Sequence, residues 1–304
     1  MSESLSAVVV AAGRSQRMGF DKLLTPLGGK PLLLHTIERL LQTQAPQEII
    51  LVIRPDSEAE MTAVISSLAG KEIIRLVPGG AQRQDSVQAG LNAISDSSEF
   101  VMVHDAARPF VTREMIDVVL AAAKLSDAAV CGTPCSDSLK EVSEEGLVQQ
   151  TVDRSRLWTV QTPQIFRTRL LRDAYRAALE SGATFTDDTA VVEKLGHPVR
   201  TVLYHGINFK VTTPSDWKLA EAYLQLSGDG VNQSQGSTLR KHMHDLNNHL
   251  TPLLGYAYLL ANELPEESRS KKFAASIQTS GERCQATAAS IQKIIRDLFP
   301  RKTE

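Results

Sequence analysis

This chain of 304 residues contains few cysteines and has a formal net charge close to zero. Its three cysteines are Cys131, Cys135 and Cys284. No second pair completes the ligand set of a zinc site, so we expect small buried side chains rather than metal ligands. The formal net charge is −2, from 33 basic and 35 acidic residues. This balance argues against broad electrostatic attraction to nucleic acid or to an anionic membrane.

Long apolar runs are lacking as well. No segment approaches the roughly 20 apolar residues that a membrane-spanning helix requires. The N-terminal sequence MSESLSAVVVAAG has a short apolar run without a basic region before it, which argues against a secretory signal peptide. We therefore expect a cytoplasmic protein without a membrane segment, and a reducing compartment suits the few cysteines.

Short β-branched segments alternate with amphipathic helical segments through the first two thirds of the chain. The predicted strands are 6–10, 48–53, 72–77, 100–103, 128–133, 199–204 and 209–212. The predicted helices are 31–42, 57–68, 84–93, 113–124, 169–180, 188–195 and 215–226. This alternation predicts an α/β domain with a Rossmann-like, mainly parallel sheet. Residues 138–153 are polar and β-like, with Glu144-Glu145-Gly146 as a hairpin tip, and predict a β-arm outside that sheet.

A linker-like segment, SGDGVNQSQGS at 227–237, divides the chain into a first domain, 1–226, and a second, 238–304. In the second domain, apolar or small residues recur in steps of four and three, as in a coiled-coil seam. The seam positions are 239, 243, 246, 250, 253, 257, 260 and 264, then 273, 277, 280, 284, 287, 291, 294 and 298. They predict a two-helix hairpin whose thin core favours dimerisation into a four-helix bundle.

The first predicted strand runs into the small residues Ala11, Ala12 and Gly13, and Arg17 and Lys22 follow. Small residues let a ligand approach backbone N–H groups closely, and the two cations add positive charge, so the loop suits an anionic ligand. It is not a Walker P-loop, because no G-x-x-x-x-G-K-[ST] occurs. An ordinary strand-to-helix loop with surface cations is the alternative.

Two further clusters follow predicted strands: PGGAQRQDS at 78–86 and VHDAARP at 103–109. Ligands of open α/β sheets gather at the carboxyl ends of strands, so we expect all three clusters to share one site. The alternative for Asp105 and Arg108 is a local salt bridge.

Six motifs occur in order: AAGRSQRMGFDK, GGAQRQDSVQAGL, VHDAARPF, TVDRSRLWTVQTPQIF, GATFTDD and NFKVTTPSD. With these motifs, residues 5–226 resemble the 2-C-methyl-D-erythritol 4-phosphate cytidylyltransferase family of isoprenoid biosynthesis. The resemblance implies a nucleotidyltransferase fold and transfer of CMP from CTP to methylerythritol phosphate, with release of pyrophosphate. It also implies Mg²⁺ bound mainly through the triphosphate. In this family the arm crosses to the neighbouring subunit, which implies a homodimer.

The resemblance assigns roles to individual positions. Its catalytic residues are Arg17, Lys22, Arg154 and Lys210. Its CTP-binding residues are Ala11, Ala12, Gly13, Gly80, Arg83 and Ser86. Its residues for the second substrate are Asp105, Arg108, Ser138, Thr162 and Thr186, and Asp105 is also a possible metal ligand. Taken alone, Thr186 would be a capping hydroxyl and Lys210 a surface cation.

The sequence HMHDLNNHLTP at 242–252 resembles the phosphoacceptor helix of sensor histidine kinases. The resemblance implies that His244 carries the phosphate and that Asp245 orients or activates it. No ATP-binding kinase domain follows, so we do not expect the hairpin to phosphorylate itself unaided. Two interpretations remain: a dimerisation element without phosphorylation, or a phosphotransfer module served by a signalling partner.

Two other functions compete with the main interpretation. One is a cytidylyltransferase for another alditol phosphate, such as ribitol 5-phosphate, because that family shares much of the framework. The other is a signalling protein in which the α/β domain senses nucleotide and the hairpin is the output.

Overall fold

The computed structural model describes residues 4–13, 18–227, 260, 264 and 268–298. The chain divides into two compact units, Met1–Ala220 and Glu221–Glu304. Within the described residues, no helix combines the length and the apolar character needed to cross a bilayer. The predicted linker beyond Ser227, and most of the first helix of the predicted hairpin, lie outside these ranges, and the boundary near 227 stays a prediction.

A seven-stranded sheet forms the centre of the first unit. Its strands are β1 Leu5–Val10, β4 Glu48–Ile53, β5 Ile74–Pro78, β6 Phe100–Asp105, β7 Ala128–Pro134, β10 Trp158–Arg167 and β11 Arg200–Leu203. They lie in the order β11-β7-β10-β6-β1-β4-β5. Only β10 runs antiparallel to its neighbours, β6 and β7. The mainly parallel α/β architecture is therefore confirmed.

The helices of the first unit follow the strands as in βαβ units. They are α1 Leu32–Thr43, α2 Glu58–Ser66, α3 Arg83–Ala93, α4 Arg113–Ser126, α5 Thr168–Ser181 and α6 Asp188–Lys194, with α7 Pro214–Ser227 continuing past Ala220. The central strands are covered on both faces, so they are almost wholly apolar. Val8, Ile50 and Val103, for example, have no exposed surface.

The β-arm is present as predicted. Strands β8 Leu139–Val142 and β9 Val148–Val152 pair antiparallel, outside the seven-stranded sheet. Gly146 has φ of 81°, the left-handed conformation that glycine adopts without a steric penalty, and the hairpin turns there. A second small ribbon, β2 Pro26–Leu27 with β3 Lys30–Pro31, precedes α1.

Besides the short ribbon of β2 and β3, which was not predicted, two strand predictions differ from the structure. Strand β10 was not predicted, because its first half is largely exposed and it contains Pro163, a residue that is unusual within a sheet. The strand predicted at 209–212 was wrong. There the chain leaves the sheet, and the N–H of Val211 donates instead to the carbonyl of Ala107 at 2.9 Å.

In the second unit, α8 spans Arg269–Leu298. The predicted seam residues Phe273 and Ile277 are 58% and 48% exposed. The buried positions are instead Ala274, Gly281 and Ala288, one residue beyond predicted seam positions and seven residues apart. Among the side chains that the structure describes in this helix, the buried positions are therefore shifted by one residue from the predicted seam.

The cysteine prediction holds only in part. Cys131 lies in β7 and is buried, but Cys135 is half-buried and Cys284 is exposed. All three are free thiols.

Candidate active site

An open cavity of about 1130 Å³ lies at the carboxyl ends of the neighbouring strands β6, β1, β4 and β5. Most of the loop residues predicted to bind ligand line this one cavity. They are Ala12, Gly13, Lys22, Gly80, Arg83, Ser86, Asp105 and Lys210. The three clusters predicted from the sequence therefore converge, as expected for the carboxyl edge of a parallel sheet.

The loop after β1 forms one wall of the cavity. The N–H of Ala11 donates to the carbonyl of Val52 at 2.8 Å, so this residue is buried behind the wall while Ala12 and Gly13 line it. A Cβ on Gly79 would lie 2.8 Å from the Cβ of Ala12, so the first two loops touch only because both residues are small. Arg17 lies outside the described residues.

Lys22 enters the same cavity from the turn that follows. Its Nζ donates to the carbonyl of Val211 at 2.8 Å. Val211 comes directly after Lys210, so the two predicted catalytic lysines belong to one side of the cavity.

The loop after β5 is held by the start of α3. Gln82 and Asp85 form a reciprocal capping box. The hydroxyl of Ser86 accepts from the N–H of Gly80 at 3.3 Å and donates to the carbonyl of Gln82 at 3.1 Å. A Cβ on Gly80 would lie 2.3 Å from the Cβ of Asp85, so glycine is required for this close turn. These contacts aim the N-terminal end of α3 at the cavity, where an anion is favoured.

Asp105, at the end of β6, is the centre of a cluster of three cations. Lys210 Nζ lies 2.9 Å from its Oδ2, Arg108 Nε 3.4 Å from Oδ2 and Arg83 Nε 3.8 Å from Oδ1. Burial alone would raise the pKa of Asp105, but these three cations hold it well below its ordinary value of 3.8. Asp105 is therefore ionised at neutral pH.

Behind Asp105, His104 is completely buried. Its Nε2 lies 3.1 Å from the carbonyl of Arg108, which can only accept, so Nε2 carries the proton. Nδ1 then accepts from the hydroxyl of Thr162 at 3.3 Å, and that hydroxyl accepts from the N–H of Asp105 at 3.0 Å. Burial lowers the pKa of His104 to about 4, so the imidazole is neutral.

Arg83 is anchored to a residue that the sequence interpretation missed. Its two terminal nitrogens donate to the carboxylate of Asp188 at 3.0 and 2.7 Å. Asp188 is fully buried and also accepts from the hydroxyl of Tyr175 at 2.6 Å. Burial alone would lower the pKa of Arg83, but its ion pairs with Asp188 and Asp105 raise the pKa above its ordinary value. Arg83 is therefore held rigidly at the edge of the cavity.

Some predicted residues do not line the cavity within a single chain. Arg108 and Thr162 pack beneath Asp105. Ser138, before β8, and Thr186, before α6, are exposed. Arg154 is also exposed, and its Nη1 donates to the carbonyl of Ser136 at the base of the β-arm.

The sequence interpretation also missed Arg54 and Asn208. Arg54 follows β4 at the same edge of the sheet as the three clusters, and that position could have indicated it. Asn208 is buried and donates to the side-chain oxygen of Gln161 and the carbonyl of Thr162, at 2.9 and 2.8 Å. Arg108 in turn donates to the carbonyl of Asn208 at 2.9 Å. No sequence spacing signals these long-range contacts.

Across the described ranges, no group of three His, Cys, Asp or Glu residues could hold a metal ion. The carboxylates that line the cavity are Asp56 and Asp105. One ionised carboxylate suits a Mg²⁺ ion that takes most of its ligands from substrate phosphates and water. The residues present therefore fit such an ion, and Asp105 would be its protein ligand.

A family model described as IspD, 2-C-methyl-D-erythritol 4-phosphate cytidylyltransferase, matches residues 5–226. The enzyme of that name from Dehalococcoides mccartyi strain 195 is 41% identical over 226 residues, which cover 74% of this chain and 98% of the relative. The one from Symbiobacterium thermophilum is 41% identical over 223 residues, 73% and 93% of the two chains.

Solved structures agree with these sequence matches. The 4-diphosphocytidyl-2C-methyl-D-erythritol synthase of Anaerococcus prevotii superposes with a TM-score of 0.65 at 32% identity, covering 73% of this chain and 96% of that one. The 2-C-methyl-D-erythritol 4-phosphate cytidylyltransferase of Thermus thermophilus gives a TM-score of 0.60 at 34% identity, covering 72% and 98%.

Proposed function

This chain belongs to the IspD family, and we propose that it transfers CMP from CTP to 2-C-methyl-D-erythritol 4-phosphate, releasing pyrophosphate. One observation carries the proposal. Lys22 and Lys210, from opposite ends of the first unit's sequence, meet at a single cavity that two glycine-containing loops also line. This combination suits two anionic reactants, because the lysines supply positive charge and the small residues let a ligand approach the loops closely.

In the proposed reaction, an oxygen of the acceptor's phosphate attacks the α-phosphorus of CTP. A new P–O bond forms, and the bond to the leaving pyrophosphate breaks with its electron pair. No protein nucleophile is required, so the residues act by positioning and by charge neutralisation. Lys22 and Arg17 would stabilise the negative charge on the oxygens around the α-phosphorus in the transition state, and Lys210 would hold the incoming phosphate.

Magnesium would share this neutralisation of charge. We propose Asp105 as its protein ligand, because the carboxylate stays ionised and lines the cavity. Loss of CTP binding or of product formation on chelation with EDTA, and recovery with added Mg²⁺, would support the need for the ion.

We further propose a homodimer in which Arg154 acts in the cavity of the partner subunit. Arg154 lies at the base of an exposed arm and not at its own chain's cavity, which a contribution to the partner would explain. Mixing Lys22→Ala with Arg154→Ala subunits tests this. Restored activity in the mixture supports shared sites, and no restoration after verified subunit exchange contradicts them.

The decisive experiment is incubation of the purified chain with CTP, MgCl₂ and methylerythritol phosphate. Mass spectrometry of the products should detect 4-diphosphocytidyl-2-C-methyl-D-erythritol together with stoichiometric pyrophosphate. A parallel incubation with ribitol 5-phosphate tests the other alditol acceptor. Pyrophosphate release only with ribitol 5-phosphate would overturn the proposed acceptor, and no release with either would overturn the proposed chemistry.

We also propose a cytoplasmic location, where CTP is available, and cell fractionation tests it.

For the C-terminal segment we propose dimerisation without phosphorylation. Heptad spacing of apolar and small residues in α8 supports an association role. His244 and Asp245 lie outside the described residues, and phosphotransfer stays the alternative prediction. Incubation with candidate kinases or phosphorylated response regulators, followed by assay for acid-labile phosphate, separates the two. Label on His244 that disappears in His244→Ala would establish phosphotransfer.

A further inference from the structure

Arg54 occupies the wall of the cavity and is paired on three sides. Its Nη2 lies 2.7 Å from Asp21 Oδ2, and its Nε lies 3.0 Å from Asp56 Oδ1. Its Nη1 donates to the carbonyl of Gly13 at 3.4 Å. The Arg54 side chain is only 18% exposed, so these contacts are partly shielded from water. One guanidinium therefore joins the end of β4 to the loop after β1 and to the turn that contains Lys22.

Asp21 organises that turn. Its Oδ1 accepts from the N–H of Leu23 at 3.1 Å, and its own carbonyl accepts from the hydroxyl of Thr25 at 2.7 Å. Lys22 lies between Asp21 and Leu23, so a shift of the Asp21 carboxylate would displace the backbone from which Lys22 extends.

Arg54 also compensates negative charge at the cavity. Asp56 lines it directly, and Asp21 is adjacent in sequence to Lys22. Without a cation beside it, each carboxylate would add negative potential near the cavity, which disfavours an anionic ligand.

We propose that Arg54 is a positioning residue for nucleotide binding, which holds Lys22 and Gly13 in register and neutralises Asp21 and Asp56. The proposal rests on the function proposed above. A lysine at this position would supply charge without a planar fork, so it could not hold three partners in three directions at once. Arg54 acts through these neighbours and is not assigned a role in the chemical step.

The test is calorimetric titration of CTP with MgCl₂ into the full chain, without acceptor. We expect Arg54→Ala to raise the Kd for CTP on the order of tenfold, the scale of a lost charge-assisted hydrogen bond. Arg54→Lys should give an intermediate Kd. Arg75→Ala is the matched control, because Arg75 pairs with Glu48 at 3.7 Å away from the cavity.

A double variant separates positioning from general damage to the fold. In Arg54→Ala/Asp21→Asn, the new amide keeps an acceptor for the N–H of Leu23 but removes the uncompensated charge, so CTP affinity should partly recover. Thermal unfolding measurements verify that each variant is folded. If Arg54→Ala does not fold, the CTP affinity of Arg54→Lys is compared with that of the wild type instead.

The outcomes distinguish the two proposals. If the wild-type chain binds no CTP, the proposed function fails and this inference fails with it. If the wild type binds CTP and folded Arg54→Ala, or folded Arg54→Lys in its place, binds equally well, only the role of Arg54 is refuted. A loss that Asp21→Asn does not relieve at all would also refute the charge-neutralising role.

Discussion

At the scale of single residues, Asp105 shows how the site keeps a buried carboxylate charged. Three cations surround it, and Lys210 at 2.9 Å is the nearest. The buried hydrogen bonds of His104 and Thr162 fix the backbone on which Asp105 stands. A ligand therefore meets a preorganised arrangement of charge, which is the main source of electrostatic catalysis.

Lys22→Ala tests the electrostatic role directly. We expect turnover to fall by about two orders of magnitude or more, because one cation that stabilises transition-state charge contributes about 2.7–4 kcal/mol. Steady-state pyrophosphate release measures this. Lys194→Ala, an exposed lysine on α6, is the control and should retain normal turnover. Near-normal turnover of Lys22→Ala would remove Lys22 from the mechanism.

His104 predicts a dependence of stability on pH. Its folded pKa is about 4 and its ordinary value is 6.5, so the unfolded chain binds more protons between these values. The neutral imidazole makes its full contribution to the free energy of unfolding above about pH 6.5. As the pH falls towards 4, the free energy of unfolding decreases by ~3 kcal/mol. Urea unfolding across this range measures it.

His104→Gln supplies the comparison for that pH profile. The amide does not titrate, so the free energy of unfolding of this variant should change less between pH 6.5 and 4 than that of the wild type. Asp105 titrates below this window, because its folded pKa is lowered from 3.8, and its contribution is lost only at more acidic pH. Parallel profiles for variant and wild type would contradict the assignment.

At the scale of elements, Asp188 ties together three helices. It begins α6, and it accepts from Arg83 at the start of α3 and from Tyr175 in α5. The carboxylate has no exposed surface, so its charge is compensated only by these partners. This connection places the start of α3, and with it the glycine loop, against the cavity.

Asp188→Ala should lower the free energy of unfolding by about 3–5 kcal/mol, because it leaves the Arg83 guanidinium and the Tyr175 hydroxyl without their buried partner. Chemical denaturation measures the change. The matched control is Asp173→Ala, which removes a pair with Arg176 at 3.3 Å in which both side chains are more than half exposed. Surface pairs of this kind contribute about 0–1 kcal/mol. Equal effects in the two variants would contradict the larger contribution expected of the buried pair.

At the scale of the whole molecule, the family match ends at residue 226 and α7 ends at Ser227. A match of 226 residues covers 98% of the relative from Dehalococcoides mccartyi strain 195 but only 74% of this chain. We therefore expect a chain truncated after Ser227 to fold and to keep turnover comparable to that of the full chain. Circular dichroism and pyrophosphate release measure the two properties. A folded truncated chain without activity would show that residues 228–304 contribute to catalysis.

The sequence alone was sufficient for the α/β class, the β-arm and the three loops that meet at the cavity. Hydrophobic periodicity and glycine spacing are local signals, and parallel strands necessarily bring their carboxyl ends to one edge. The sequence also assigned Lys22 and Lys210 to one site, through a family resemblance.

Only the tertiary structure decided which side chains bind one another. Arg83 with Asp188 and Arg54 with Asp21 join residues 105 and 33 positions apart in the chain. Only the tertiary structure showed that β10 pairs as an antiparallel strand in the sheet. It also showed that the described buried positions of α8 lie one residue from the predicted seam. Such pairings follow from long-range packing, which selects among contacts that local sequence leaves equally available.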